Sequence, residues 1–330
     1  MTEPTPQETH PPRRDSRHHH PNHTVHQHPA GLPLIQGFNL WHRKWSNLAY
    51  AGFILFCNLA LPCILFYVLK DNTHMTLREL IGISSATLGV SSSFDGPFRT
   101  WKLWKNRPYY GPLNDPVRWH MDFTMHLYSY ALLIFALPLA IASAVKPPMP
   151  DFFCMSTPML VGPVGLVFLI SLFRPKCPFW CSSDAPGTRM KPAVFYMFED
   201  IGAVDFRHGK EFREAVNKRY DASPPWQDLM WYLTAWWAFG TAIYFGVTAA
   251  ITWTVRFGIS FGLILGVFFI WLVVWAVLSL WIVKWGLRRE EVWWKQHQAK
   301  AVEEGKVERV EGASEVEDMT PRESQMTERT

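Results

Sequence analysis

The chain has 330 residues, 48% of them hydrophobic and 15% aromatic, with 25 Pro, 17 Trp, 18% charged residues and a net charge of +4. Charge-free runs of about twenty residues recur through its middle, which a soluble core does not require, so a soluble enzyme is excluded first. Twenty Gly without a period exclude a collagen-like chain, and five Cys exclude a disulfide-rich secreted fold. What is left is an all-α polytopic transmembrane helix bundle of six spans, five being possible, with disordered termini.

Residues 1–46 form a His/Pro-rich tail with an interfacial approach. Residues 1–35 carry seven Pro and seven His with almost no aliphatic side chains, too little apolar surface to offset the entropy of ordering. His18, His19, His20 and His23 are weak candidates for loose metal binding, because neutral imidazoles on a flexible chain can gather around one ion, but no ligand geometry is encoded. The first span is expected to act as its own targeting signal.

Residues 47–173 are read as helices 1 to 4. Leu48 to Leu69, Leu127 to Val145 and Phe152 to Phe173 each suffice to cross ~30 Å of hydrocarbon at about 1.5 Å per residue. The shorter Leu80 to Phe94 is included because Gly82, Ser85, Ala86, Gly89, Ser92 and Ser93 fall on one helical face, where a neighbouring backbone can approach closely. Residues 229–285 hold helices 5 and 6, Leu229 to Val255 and Phe257 to Val283, which only Arg256 separates, so they form a tight antiparallel pair. Gly258, Gly262 and Gly266 make two overlapping G-x-x-x-G steps. Either small-residue face suits a neighbour within the bundle or a second copy of the chain.

Of 32 Lys and Arg, 28 fall on one side of the six-span arrangement and four (Lys70, Arg78, Lys146, Arg256) on the other, which places both termini in the cytoplasm. Omitting the short second helix moves only the N-terminus. Trp41, Trp45, Trp119, Trp226, Trp231 and Trp285 lie near span ends, as an interfacial belt would. The setting is an integral membrane, with the endoplasmic reticulum or plasma membrane as the expected site and the lipid bilayer as the partner; no nucleic-acid partner is expected.

Ionisable groups near a span invite a functional reading, because charge in hydrocarbon is costly. Asp95 ends the second span, and His120, Asp122 and His126 begin the third on the same side, with Asp122 and His126 at i, i+4. A carboxylate beside an imidazole can orient the ring for general-base work or join it in holding a metal. Equally, water, headgroups or a capping hydrogen bond satisfy such groups, and no serine motif, H-E-x-x-H or third intramembrane His accompanies them. A bis-His haem needs histidines at depth on facing helices, which the other spans lack, so no cofactor is expected.

Residues 174–228 form a cytoplasmic amphipathic loop. In its first half Cys177-Pro-Phe-Trp-Cys181 has neither thioredoxin nor zinc-knuckle spacing, and juxtamembrane S-palmitoylation is the chemistry expected of its thiols. Pro192 suits a helix N1 position; Val194, Met197, Phe198 and Ile201 make an apolar face, while Tyr196, Glu199, Asp200 and Ala203 take the other side. Glu199, Asp200 and Asp205 are read as a solvated face pairing with Lys191, Arg207 or Lys210, rather than as catalytic acids. HGKEFREAVNKRYDASPPW is a second, charged helix ended by Ser223-Pro224-Pro225. Residues 286–330 begin as a helical extension and continue as a polar, acidic cytoplasmic tail.

PGTRMKPAVFYMFEDIGAVDF, followed by FREAVNKRYDASPPW and a Trp-rich span, resembles a group of uncharacterised ascomycete multi-pass integral membrane proteins, over roughly the last three spans and the loop before them. The resemblance implies a fungal source and an intracellular or plasma membrane, and carries over no substrate, cofactor or catalytic residue. Here His208 and Lys210 flank a single Gly209, where the group has Gly-rich runs. The reading is therefore a non-enzymatic membrane protein with an interaction, regulatory or structural role; the alternative is a membrane-embedded enzyme or lipid carrier using Asp95, His120, Asp122 and His126.

Overall fold

A computed structural model describes residues 44–90, 92–114 and 120–318; the side chains of residues 44, 46, 47, 85, 89, 90, 92–95 and 301–318 are outside that description. The described chain is helical, and no strand occurs in it. Four helices are long and apolar enough to cross a membrane: Leu48–Asn72, Phe123–Ala144, Pro224–Thr254 and Phe257–Lys300. They expose large apolar side chains such as Leu133, Phe239, Ile270, Val273 and Trp281, a surface matched to lipid rather than water.

The first of these begins as α1 (Lys44–Leu55) and becomes α2 (Leu61–Asn72) through a π-helical turn, Phe56–Ala60. Pro62 explains the turn, because its ring lacks an N–H and crowds the carbonyl four residues back, and the widened turn absorbs that misfit. A capping box follows: the Thr76 N–H donates to Glu79 (2.8 Å), and the Glu79 N–H points back at the Thr76 hydroxyl (3.4 Å). It starts α3 (Leu77–Val90), which packs on α2 and leads to α4 (Ser92–Lys105) and the single turn α5 (Arg107–Tyr110).

Of the small-residue face of α3, only Gly82 and Ala86 are among the described side chains, and neither is buried. Leu80, Ile81, Ser84 and Leu88 point inward, whereas Ala86 is exposed and a Cβ on Gly82 would meet nothing within 4 Å. Larger apolar side chains bury more area per residue and take the inward position. Two of the later glycines are used within the chain: the Tyr67 hydroxyl donates to the Gly258 carbonyl (2.8 Å) and lies 2.7 Å from where a Gly262 Cβ would stand.

α6 (Phe123–Ala144) leads to α7 (Pro150–Cys154), and after a break at Met155 to α8 (Ser156–Leu172). The expected fourth span is thus a short turn plus a 17-residue apolar helix, wedged between α6 and α11 (Pro224–Thr254). α11 turns at Val255 and Arg256 into α12 (Phe257–Asp318), which runs unbroken into the expected polar tail as far as Asp318, where the described residues end. The two form an antiparallel pair, with Trp236 and Trp275 stacked at 4.3 Å over Gly240 and the Trp275 indole donating to the Trp236 carbonyl (3.1 Å).

At the α8–α11 crossing a Cβ on Gly165 would overlap the Thr241 hydroxyl and lie 2.7 Å from its Cβ. Gly165→Val should therefore cost about 1–3 kcal/mol of overpacking, read as a lowered unfolding temperature in detergent. Gly246→Val, where a Cβ meets nothing within 4 Å, is the control that should change little.

Of the expected Trp belt, Trp45, Trp231 and Trp285 are exposed, but Trp226 is buried under the Arg219 guanidinium, 4.3 Å from its ring; Trp41 and Trp119 lie outside the described residues.

Candidate functional site

The segment between α8 and α11 is a folded unit set against the start of α6. Its first part is a compact loop in which the Cys177 N–H donates to Thr188 O (2.8 Å) and the Met190 N–H to Pro175 O (2.8 Å). α9 (Ala193–Asp200) follows, with Pro192 at its N-cap, one position before the expected N1. It continues through a π turn, Ile201–Asp205, to α10 (Gly209–Ala222). Gly209 has a φ of +68°, a left-handed conformation that accepts a lone glycine, and Gly202 abuts the Phe212 ring where a Cβ would overlap it.

The face of α9 expected to meet solvent is its most deeply buried one: Tyr196, Glu199, Asp200 and Ala203 are each 0% exposed. Arg213 of α10 is also 0% exposed and is the counter-ion, with Nη1 donating to Asp200 (2.6 Å) and Glu199 (3.1 Å) and Nη2 to the Tyr110 carbonyl (3.3 Å). Asp200 further accepts from the Ser182 hydroxyl (2.7 Å) and from the Thr124 N–H and hydroxyl (2.9 Å each), and Glu199 accepts from the Ser183 hydroxyl. The expected partners are thereby corrected. Lys191 instead pairs with Asp184 (3.0 Å) and donates to Asn217 (2.7 Å), while Asp205, still exposed, pairs with Arg99.

Asp122 belongs to the same cluster. Its carboxylate caps α6 by accepting from the Met125 N–H (2.9 Å), receives Arg99 Nη2 at 2.7 Å, and lies 3.8 Å from Arg213 Nη2. Burial and the neighbouring Asp200 charge raise its pKa to about 6, against the pull of both guanidiniums. Burial likewise raises Glu199. For Arg213 burial works the other way, but the Asp200 and Glu199 carboxylates outweigh it and keep the guanidinium charged. One ionic cluster thus joins α4, α6, the 174–192 loop, α9 and α10. A separate pair, Arg219 with Glu290 (2.5 and 2.9 Å), ties α10 to α12.

The Asp/His candidates only partly converge. The His120 and His126 rings lie 6.3 Å apart, beside Trp180 and Phe179 respectively. His126 Nδ1 lies 3.0 Å from the Asp122 backbone carbonyl, whereas the Asp122 carboxylate turns to Arg99. The Asp95 side chain and His18, His19, His20 and His23 lie outside the described residues, among which no three His, Cys, Asp or Glu gather in a metal-holding group. Cys177 and Cys181 are 2% and 1% exposed, so acylation would first require the loop to open. A hydrogen bond with Cys181 draws the Cys177 thiol down to about 6 and holds that of Cys181 up.

Beside the cluster, α4 and α6 bound a cleft of about 560 Å³ lined by Trp101, Trp104, Arg107, His120, Met125 and Tyr128, with others. Sequence reasoning had no hold on Arg99 and Arg213 as members of the site. One signal was present: Gly209, Phe212, Arg213, Val216 and Tyr220 form a helical stripe that is apolar except for its arginine, and all five are buried.

A family model described as a domain of unknown function (DUF8766) matches residues 21–294. No curated protein and no solved structure matches the chain. The chain belongs to the DUF8766 family.

Proposed function

We propose that this member of the DUF8766 family is a non-enzymatic, multi-pass integral membrane protein in which residues 174–222 form an interaction or regulatory platform clamped to the membrane bundle. The observation that carries the reading is the ionic cluster itself. The Asp122 carboxylate is engaged by Arg99 and by the α6 cap, with Arg213 3.8 Å away, and His126 meets the Asp122 backbone carbonyl rather than the carboxylate. A group engaged in this way fixes geometry across five elements; a general base needs to face a substrate. An enzyme working through the His pair would show substrate accumulation when His120→Ala/His126→Ala replaces the native chain. Unchanged lipid and metabolite profiles are the outcome expected here.

Six spans with both termini in the cytoplasm remain the topology we infer. The charge asymmetry supports it, as does the length of the 150–172 segment, whose two helices together reach the ~30 Å needed at about 1.5 Å per residue. α3 alone, with 14 residues, spans only about 21 Å and needs the start of α4 to complete a crossing. The N-x-S/T acceptor Asn22-His23-Thr24 reports on this, because a five-span chain exports it to the lumen. No glycan is expected at Asn22. An endoglycosidase-sensitive shift that disappears in Asn22→Gln would remove the α3–α4 crossing, and an N-terminal tag in sealed microsomes should be open to protease.

A further inference from the structure

The structure assigns Cys177 and Cys181 as a dithiol modification site, which hydrogen peroxide oxidises to an intramolecular disulfide that loosens the 174–192 loop from α6 and α9. The inference adds a regulatory chemistry to the platform reading and rests on it only for what the loosening regulates.

The backbone of the loop fixes both cysteines. Cys177 donates its N–H to Thr188 O (2.8 Å) and accepts from the Gly187 N–H (2.8 Å), and Cys181 exchanges both backbone hydrogen bonds with Asp184 (3.1 and 2.9 Å). The two side chains turn into the same buried cluster and their thiols hydrogen-bond to each other. The Tyr196 hydroxyl lies 3.9 Å from Cys177 Sγ and is itself fixed, donating to Asp184 (2.7 Å) and accepting from the Lys191 N–H (3.0 Å). A disulfide therefore needs only side-chain rotation and a small shift of backbone. It would close a ring of five residues, Cys177 to Cys181. So short a loop gains little from closure, which suits a reversible bond rather than a permanent staple.

Cys177 is the nucleophile, because the Cys181 hydrogen bond holds its thiol down to about 6 and keeps a thiolate at neutral pH. Hydrogen peroxide, little larger than water, needs only a local opening of the loop to reach it. The thiolate attacks one peroxide oxygen, the O–O bond breaks, and hydroxide leaves, taking up the proton the thiol had lost; Cys177 is now a sulfenic acid. The Cys181 thiol attacks that sulfur, the S–O bond breaks, and water departs with the Cys181 proton. Two thiols are oxidised and one peroxide is reduced to two waters. The next two residues carry the consequence. Ser182 is left-handed, with a φ of +47°, a conformation its contacts must hold against its cost. Its hydroxyl donates to Asp200 (2.7 Å) and accepts from the Phe123 N–H (3.0 Å) at the start of α6, while the Ser183 hydroxyl donates to Glu199. Drawing Cys181 onto Cys177 pulls on Ser182 and frees the joint between the loop, α6 and α9.

The test uses the full chain in nanodiscs, treated with hydrogen peroxide at neutral pH, then unfolded in N-ethylmaleimide to block the thiols that remain. Trypsin cuts after Lys176 and Arg189, so both cysteines fall in one peptide, CPFWCSSDAPGTR. The expected result is that peptide two hydrogens lighter and without maleimide, returned to two free thiols by dithiothreitol. Cys181→Ser should trap the sulfenic acid at Cys177, where dimedone captures it. In the folded wild type, proteolysis within 174–222 should run about fivefold faster after oxidation, the scale of one lost hydrogen bond, and should slow again on reduction. Ser182→Ala should reach a similar rate and leave little for oxidation to add. A 177–189 peptide that stays reduced overturns the proposal, and so does a disulfide that leaves proteolysis unchanged. Both measurements are made on the wild-type chain, so a variant that fails to fold does not obscure them. Substrate accumulation in His120→Ala/His126→Ala would remove the non-enzymatic reading without touching the thiols, so the two readings fail separately.

Discussion

Arg213→Met should lower stability by about 3–5 kcal/mol, the cost of leaving buried carboxylates without their counter-ion. Arg213 is fully buried and donates to Asp200, Glu199 and the Tyr110 carbonyl, so no water replaces it without the α9–α10 unit opening. Two consequences are measurable on the detergent-extracted protein. The unfolding temperature drops, and residues 174–222 become accessible to protease before the four long apolar helices do. Arg213→Lys keeps the charge but cannot reach three acceptors with one planar fork, and should fall between wild type and Met. Lys218→Met on the same helix removes an exposed pair with Glu214 (3.9 Å) and should change little. Equal behaviour of Arg213→Met and Lys218→Met would show that the cluster does not hold the unit in place.

The long apolar helices were legible because their signal is local and continuous. Leu127 to Val145 anticipates α6 to within a turn, and Arg256 marks the α11–α12 corner because it is the single charge in a stretch otherwise apolar. Periodicity was less informative where a helix is covered on more than one side. In α9 both Val194/Met197/Phe198/Ile201 and Tyr196/Glu199/Asp200/Ala203 repeat at i, i+3, i+4, i+7, and the two acids of the latter face suggested solvent there. Its burial depends on Arg213, which sits on another helix, and on Thr124 and Ser182 from two further elements. Asp122 stood out through its position at a span end, but its partners Arg99 and Arg213 lie 23 and 91 residues away in the chain, beyond any window of local pattern. At Gly82 and Ala86, the two described members of the small-residue face of α3, the stripe did not mark burial, for a related reason. Small side chains permit close approach without requiring it, and Leu80, Ile81 and Leu88 on a neighbouring face gain more from burial.

Acidification should stabilise the protein through Asp122, the reverse of what an ordinary surface-paired carboxylate does. The cluster sets three fully buried carboxylates, Asp122, Glu199 and Asp200, against Arg213 and the largely buried Arg99, so one negative charge is in excess where solvent screening is weakest. Burial and Asp200 hold the folded-state pKa of Asp122 near 6, above its ordinary value of 3.8. Below the ordinary value both folded and unfolded chains carry the proton, and burial then carries no ionisation penalty. As pH rises from about 4 to 6 the unfolded chain ionises first, so stability falls, by up to ~3 kcal/mol at about 1.4 kcal/mol per pKa unit, and levels off above the folded-state pKa. Asp122→Asn isolates this term, since asparagine also caps a helix N-terminus but does not titrate. Unfolding temperatures of wild type and Asp122→Asn between pH 4.5 and 7.5 should differ by an amount that is flat above the folded-state pKa of about 6 and changes below it, with wild type gaining relative to the variant on the acid side. Titrations elsewhere are common to both proteins and cancel to first order. A difference that runs the other way, with wild type losing ground as pH falls below 6, would mean that Arg99 and Arg213 stabilise the Asp122 carboxylate more than burial and Asp200 oppose it.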